Sequence, residues 1–531
     1  MLIFQGLCDY YAMKGVMAVL GNMVDALTLK ISNFILEGAR SNMTNIEFLE
    51  KEITQWKCSP QRIMQIKGFL YYSGDHDITH RRRMVIGENG ELEEVKNLPN
   101  NRVVDNQYAK MVDQKTNYLF GQPFTVDSDN DQYAELLKDV FNAQFKKTLK
   151  STAKYAYNGG IAWLYPYYTE EGKLSFRLFP SYEIKPYWKD SEHTILDFAI
   201  RLYLSVGYEA NTPKVIERVE IFDLDGIHRF ILDGEKLLPD VVNYDHPDAP
   251  YMTMVNGEKV TGMNWERVPL IAFRYNESEE SLLKRVKPLQ DGVNAMLSDF
   301  ENNIQEDARN TILVLKNYDG TNLGEFRRNL ATYGAVKVRY DGDTKGGVET
   351  LQITVNADNY KAIVEIFKKA LIENAMGYDA KDDRLNGNPN QMNIQSMYSD
   401  IDIAANDTET EFQASFEQLR WFINVYFANS GCGDFDGVDA TLTFNRDILI
   451  NESEAIDNCA KSVGILSDET VVNMHPWTDD LAKELERIEE QKKKEQERAA
   501  QEYDPFRQQQ QPPQSGDRGS DGQGGGVNGE E

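Results

Sequence analysis

"TILVLKNYDGTNLGEFRRNLATYGAVKVRYDGDTKGGVETLQITV", residues 311–355, lies between two helical runs, and together with them it decides the fold. From Ser281 to Ala428 the chain reads helix, small αβ insert, helix, polar loop, very long helix. Before the insert, Val286, Leu289, Val293, Met296, Leu297, Phe300 and Ile304 keep helical spacing, with Pro288 placed to bend the start. After it, Tyr360, Ile363, Val364, Phe367 and Leu371 define a second apolar stripe, with Asn356 as N-cap and Gly377 as the stop. The polar loop "DAKDDRLNGNPNQMN" (379–393) follows. A third helix runs from about Asn393 to Ala428, with its face marked by Ile394, Met397, Ile401, Ala404, Phe412, Phe416, Leu419, Ile423 and Tyr426. At 1.5 Å per residue it spans roughly 50 Å, longer than an ordinary domain element. Two helices joined by such an insert form a pair that projects it from the main body. Their stripes are covered either by folding back on the same chain or by neighbouring copies in a cyclic oligomer.

Outward from this stretch, residues 23–150 read mainly as helices. Thr44 and Glu47 bracket a helix start before "NIEFLEKEITQWK", Pro60 occupies a first-turn position, and Asn106–Phe120 is an amphipathic helix stopped by Gly121 and Pro123. From Tyr155 the period changes to two: "GGIAWLYPYYTEEGKLSFRLFPSYEIKPYW", "TILDFAIRLYL" and "KVIERVEIFDLDGIHRFIL" read as strands, with "EEG" and "LDG" where hairpin turns are needed. The first half is therefore an α+β domain closing with "RVPLIAFRYN" at Arg267–Asn276. Ala440–Asn451 reads as a strand. Helical segments follow around Glu452–Val463, Ser467–Met474 and Trp477–Gln501. Residues 507–531 hold seven Gly and six Gln with one aliphatic residue, too little apolar surface to fold, so a disordered tail is expected. There is no internal repeat.

The chain has 531 residues, which suggests about two to four structural units. It carries 85 acidic against 57 basic residues, a formal charge of −28. That balance argues against a protein that grips nucleic acid through clustered Lys and Arg, but it is compatible with one that surrounds DNA and lets it slide. Cys8, Cys58, Cys432 and Cys459 are widely spaced, and reduced, buried thiols are expected. The apolar run in residues 1–22 is broken by Asp9 and Lys14 and has no basic leader. It reads as an N-terminal extension or flexible arm rather than a signal or a membrane span, and "MVDALTLKISNFILEGAR" from Met23 looks like a natural beginning. No other run approaches membrane-spanning length, so a soluble protein is expected.

Catalytic signatures are absent: there is no G-x-x-x-x-G-K-[ST], H-E-x-x-H or G-x-S-x-G, no paired Cys/His cluster, and the six histidines are scattered. The densest basic cluster, "HRRR" at His80–Arg83, reads as a solvated face or, less simply, as a contact for DNA or an acidic protein surface. Asp379, Asp382 and Asp383 offer the one alternative chemistry, an acidic loop holding Mg²⁺ for a metal-dependent nuclease.

"YAKMVDQKTNYLFGQPF", "AYNGGIAWLYPYY", "RVPLIAFRYNE", "LVLKNYDGTNLGEFRRNLATYGAVKV", "GNPNQMNIQSMYSDID" and "LTFNRDILINESEAI" occur in this order from Tyr108 to Ile456, and the resemblance they carry extends over residues 23 to about 495. In order and wording they resemble bacteriophage portal proteins, the SPP1-like portal family of tailed phages of Gram-positive bacteria. The resemblance implies an α+β portal fold and a ring of about twelve subunits at the unique capsid vertex. It implies a wing at 23–276, stem helices at 277–309 and 356–378, and a clip at 310–355. A tunnel loop at 379–392, the long wing helix and strand at 393–451, crown helices at 452–500 and a tail at 501–531 complete the chain.

The function so implied is non-enzymatic, with no cofactor and no metal. The ring would nucleate procapsid assembly and conduct double-stranded DNA during packaging and ejection. Its partners would be copies of itself, that DNA, the terminase large subunit, a head-completion adaptor, and the major capsid and scaffolding proteins, with no membrane. It would be assembled in the host cytoplasm and reside in the virion, at the head–tail connector. A smaller-class head–tail adaptor ring is the nearest alternative. In the tunnel loop, Asn386, Asn388, Asn390 and Gln391 offer neutral hydrogen-bonding groups, and Gly387 with Pro389 sets a turn. Lys381 and Arg384 can touch phosphate while the three aspartates repel it, which suits sliding contact. In the clip, Asn317, Tyr318, Asp319, Arg327 and Arg328 are the candidates for docking a partner.

Overall fold

The computed structural model describes residues 46–86, 90–95, 98–209, 212–256, 259–307, 312–316, 340–341, 344–345, 347–351, 357–380, 390–446, 452–478 and 481–502. The N-terminal segment, including the Thr44 cap, and the tail lie outside them. The chain divides into two units: residues 1–381 with 397–448, and residues 382–396 with 449–531.

The first unit opens with helices whose starts are written in the sequence. α1 (Ile46–Lys57) precedes α2 (Pro60–Tyr72), where Ser59 caps by accepting from the Arg62 amide and Pro60 fills the first position. A two-strand ribbon follows, β1 (Met84–Ile86) with β2 (Leu92–Glu94). α3 (Gln107–Phe120) is capped by Asn106. Beyond β3 (Thr125–Asp127), α4 (Asp131–Val140) is capped by Asn130 and α5 (Ala143–Gly159) by Asn142. α5 stops at Gly160, whose φ of +86° and lack of space both require glycine: a Cβ there would stand 1.9 Å from the Glu279 carbonyl oxygen.

The expected change of period at Tyr155 is a change to sheet. β4 (Ile161–Tyr168) pairs with β5 (Leu174–Pro180) through the "EEG" turn, where Gly172 has φ +76°. β6 (Ile184–Trp188), β7 (Leu196–Glu209), β8 (Thr212–Phe222), β9 (Ile227–Asp233) and β10 (Lys236–Pro239) form an antiparallel meander in sequence order. β11 (Asp248–Ala249) joins β9, both "LDG" segments make turns, and β12 (Met252–Asn256) pairs with β13 (Lys259–Met263). β14 (Ile271–Arg274), inside the predicted closing segment, completes a three-strand sheet against β4.

Alternation gives the meander two buried faces. Phe198, Ile200 and Leu202 of β7 point with Val219 and Ile221 of β8 toward Leu49, Ile53 and Trp56 of α1. Ala199 and Phe222 point the other way, toward Trp163, Phe179 and Ala272. Each large side chain so buried contributes about 1.5–3 kcal/mol.

α6 (Leu282–Asp307) leads to β15 (Ile312–Lys316), which pairs with β18 (Gly347–Leu351); β16 (Tyr340–Asp341) pairs with β17 (Thr344–Lys345). α7 (Ala357–Asn374) follows, and α8 (Gln391–Asn429) has 39 residues, or about 58 Å. The strand expected over 440–451 is shorter among the described residues: only β19 (Thr441–Thr443) is a strand, limited by its three-residue partner β3. The second unit's described helices beyond α8 are α9 (Glu452–Ser462), α10 (Asp468–Asn473) and α11 (Leu481–Glu502). Cys58, Cys432 and Cys459 are not joined in disulfides, and each is half-buried rather than buried as expected.

Candidate functional site

The two helices flanking the insert face each other. The Phe300 and Tyr360 rings lie 5.0 Å apart, Asn303 Nδ2 donates to the Tyr360 hydroxyl at 2.9 Å, and Gly292 admits the Phe367 ring where a Cβ would be only 2.7 Å from it. The predicted apolar stripes are present but incompletely covered. Val286, Val293 and Leu371 are buried; Leu289, Met296, Leu297, Phe300, Tyr360, Val364 and Phe367 are half-buried. Ile304 is 50% exposed, and Ile366, outside the predicted set, is 63% exposed. Pro288 sits inside α6, whose helix continues to Asp307.

The face of α6 most fully buried is polar, and the apolar reading missed it. Gln290, Asn294, Ser298 and Asn302, four residues apart, are all inaccessible or nearly so. They bond a chain segment that lacks sheet partners. Asn101 N donates to Asn302 Oδ1 at 2.7 Å, Val103 N to Ser298 Oγ at 2.9 Å, Asp105 N to Asn294 Oδ1 at 3.1 Å and Tyr108 N to Gln290 Oε1 at 2.9 Å. Gln290 Nε2 returns a bond to the Asp105 carbonyl at 2.7 Å. Buried backbone amides need acceptors, and here a helix supplies them at one per turn. Asn294 Nδ2 also donates to His76 Nδ1, so His76 Nε2–H donates to the Tyr71 carbonyl; burial lowers the His76 pKa and keeps the ring neutral. The i, i+4 spacing of four small polar residues was the available signal.

The other predicted residues fall as follows. Lys381, Arg384, Asn386 and Asn388 of the loop, and Asn317, Tyr318, Asp319, Arg327 and Arg328 of the insert, lie outside the described residues. Asn390 caps α8, accepting the Asn393 amide on its Oδ1 at 2.8 Å, and the Gln391 amide donates to Glu454 Oε2 at 2.8 Å. Of the three loop aspartates only Asp379 is described, and no group of three or more His, Cys, Asp or Glu among the described residues could hold a metal ion. "HRRR" is largely used internally: His80 bonds Asp75 at 2.8 Å, Arg81 pairs with Asp299 at 2.7 Å and Arg83 donates to the Pro99 carbonyl at 2.7 Å, leaving Arg82 exposed.

The loop's first root is closely built. α7 ends in a Schellman turn: Gly377 N donates to the Ile372 carbonyl and Met376 N to that of Glu373, both at 3.0 Å. The left-handed position is Met376 (φ +51°), not the expected Gly377. Gly377 is needed for space instead, since a Cβ would lie 2.8 Å from Met111 Sδ and 2.9 Å from Gln114 Oε1. Gln114 of α3 bonds both backbone groups of Tyr378, Nε2 to its carbonyl at 2.8 Å and Oε1 from its amide at 3.1 Å. Lys115 Nζ donates to the Met376 carbonyl at 3.0 Å. Burial pushes the Lys115 pKa down to about 7, Arg285 adds to the effect, and Asp400 and Asp407 oppose it.

The described scaffold mixes helix and sheet and carries the insert on a helix pair. The chain belongs to the phage portal proteins of the SPP1 Gp6-like family, which it matches over residues 51–498. It is 31% identical over 430 residues to the portal protein of Bacillus phage SPP1, covering 80% of this chain and 83% of that one. Over 456 residues it is 27% identical to the portal protein of Clostridium phage phiCD119, covering 84% and 96%. The family resemblance read from the six sequence stretches is thereby shown, and with it a portal role in the phage capsid. No helix among the described residues is long and apolar enough to cross a membrane.

Proposed function

We propose that this portal protein acts as a passive ring of about twelve copies, through which double-stranded DNA enters and leaves the capsid. One observation carries the oligomer: no described residue from Glu452 to Arg498 is buried, although three helices form there. Isolated helices of 6–22 residues are marginal in water and need packing to persist. Val463, Ile465, Leu466, Met474 and Trp477 remain exposed, as Ile304 and Ile366 do on α6 and α7. Neighbouring copies are the natural cover, because equivalent faces meet repeatedly in a closed ring.

In this reading residues 23–276 with 393–451 are the wing, α6 and α7 the stem, 310–355 the clip, 379–392 the tunnel loop and 452–500 the crown. The loop's amides and its mixed charges would guide the duplex without holding it, helped by the net charge of −28. The clip would dock the terminase large subunit, whose ATPase supplies the energy, and later a head-completion adaptor. Capsid and scaffolding proteins would surround the wing. No catalytic step is assigned to the chain.

Negative-stain electron microscopy with mass photometry of the purified protein tests this. Rings of about a dozen copies with a duplex-sized hole are expected. A protein that stays monomeric at micromolar concentration overturns the reading.

A further inference from the structure

The root of the 379–392 loop carries more fixation than a helix end requires. The Schellman turn already satisfies the last amides of α7. Beyond it, two successive side chains of α3 reach the same short segment: Gln114 takes both backbone groups of Tyr378, and Lys115 takes the carbonyl of Met376. The segment also holds a non-glycine residue at positive φ and a glycine whose only apparent need is close approach to α3. Backbone in a sparsely populated conformation persists where its surroundings over-determine it.

Lys115 is the costly member. It is 5% exposed, and its Nζ donates to the Met376 carbonyl. A buried lysine amine held chiefly by one carbonyl is a poor way to stabilise a fold, since an apolar side chain of similar length would fill the same space without desolvation. Its return is positional: it reaches the one carbonyl that the left-handed Met376 turns toward α3.

We propose that Gln114 and Lys115 are positioning residues that clamp the root of the tunnel loop at Met376–Tyr378, so that load on the loop passes into α3. The proposal rests on the reading of 379–392 as the channel-lining loop. α3 is suited to take that load. Tyr118, one turn on from Gln114, donates to Asp402 of α8 at 3.0 Å, and its ring stacks with that of Tyr398, which also meets Tyr378 at 4.5 Å. The clamp and the long helix therefore share one connected set of contacts.

The test is hydrogen exchange by mass spectrometry on the full-length assembled protein, read in peptides covering 376–380, for Gln114→Leu, Lys115→Met and Thr116→Val. Thr116 is buried on the same helix but bonds only the Val112 carbonyl, so its variant reports general loosening of α3. Exchange at the root is expected to rise by about tenfold in the first two and to stay unchanged in the third. Gln114→Glu, which keeps the acceptor for the Tyr378 amide and loses the donor, should fall between and serves if a harsher variant does not assemble. Wild-type exchange in the clamp variants, or an equal rise in Thr116→Val, overturns the clamp. The ratio of DNA-filled to empty heads in phage carrying the same variants separates the two readings. A raised exchange with normal filling keeps the clamp and removes the loop from the channel; a raised exchange with poor filling supports both.

Discussion

The first unit and the helices of residues 452–502 solve the burial problem oppositely. The first packs Trp163, Tyr71, Tyr108, Phe273 and Phe412 to full burial and joins aromatic rings in contact after contact. The second buries none of its described residues from Glu452 to Arg498 and leaves Trp477 71% and Ile465 81% exposed. A fold that covers its own apolar surface is stable as one chain; helices that do not cover theirs depend on what they meet. The difference separates a part that covers its own apolar surface from a part that, in the proposed ring, is covered by neighbouring copies.

The largest effect should come from breaking the self-sufficient side. Phe412 is fully buried against Phe120, Phe273 and Phe444. Phe412→Ala should cost about 3–5 kcal/mol in denaturant unfolding, through lost transfer energy and the cavity left behind. An effect below about 1 kcal/mol would mean that this core is looser than its packing.

Next is the polar ladder. Asn294→Leu removes the acceptor of the Asp105 amide and the donor to His76. A loss of about 1–3 kcal/mol is expected, from unpaired buried groups rather than from volume. Ser298→Ala, which strands one amide, should cost less. Equal stability of wild type and Asn294→Leu would show that the ladder is dispensable.

Much of this architecture was legible in the sequence for identifiable reasons. Pro60 announced a helix start because its fixed φ acts locally, without tertiary context. The strands from Ile161 to Asp233 were legible because the half-buried pleat imposes alternation. The ladder was not, since spacing alone does not distinguish Gln290, Asn294, Ser298 and Asn302 from a solvated face until the extended segment they serve is in place. Nor was the Met376 turn, because glycine is the default at a left-handed position and Gly377 stood next to it. Asn390, read as a channel contact, also caps α8, the same amide chemistry directed at the chain's own backbone. The "HRRR" cluster looked like a surface patch, and its partners Asp75, Asp299 and Pro99 are too distant in sequence or too ordinary to betray the pairing.

A pH measurement sharpens the comparison more gently. His228 in β9 lies between Asp223 at 3.0 Å and Asp248 at 2.8 Å, and the hydrogen bond to Asp223 outweighs burial to raise its pKa to about 9. A histidine whose folded pKa exceeds its unfolded value adds stability that is fully present below the unfolded pKa, about 6.5. That stability is lost as pH rises through 9. With the ring partly exposed, on the order of 1 kcal/mol of first-unit stability should disappear between these limits. His228→Gln should flatten the slope, and an unchanged slope would place the titration elsewhere. No histidine is buried between Glu452 and Arg498 among the described residues, so ring assembly through those helices should not follow this curve.

The smallest expected change in stability is the most informative about the other side. Trp477→Ser removes a large exposed ring from the second unit, where its described neighbour is His475, at 5.5 Å between ring centroids. Because the residue is already in water in the single chain, unfolding of the first unit should move by less than about 0.5 kcal/mol. Oligomer mass should respond instead, since a large exposed aromatic is the kind of group that anchors contacts between copies. If Trp477→Ser leaves rings intact at every protein concentration, the exposed surface of the second unit is not what holds copies together. The uncovered faces of α6 and α7, at Ile304 and Ile366, then become the contact to break.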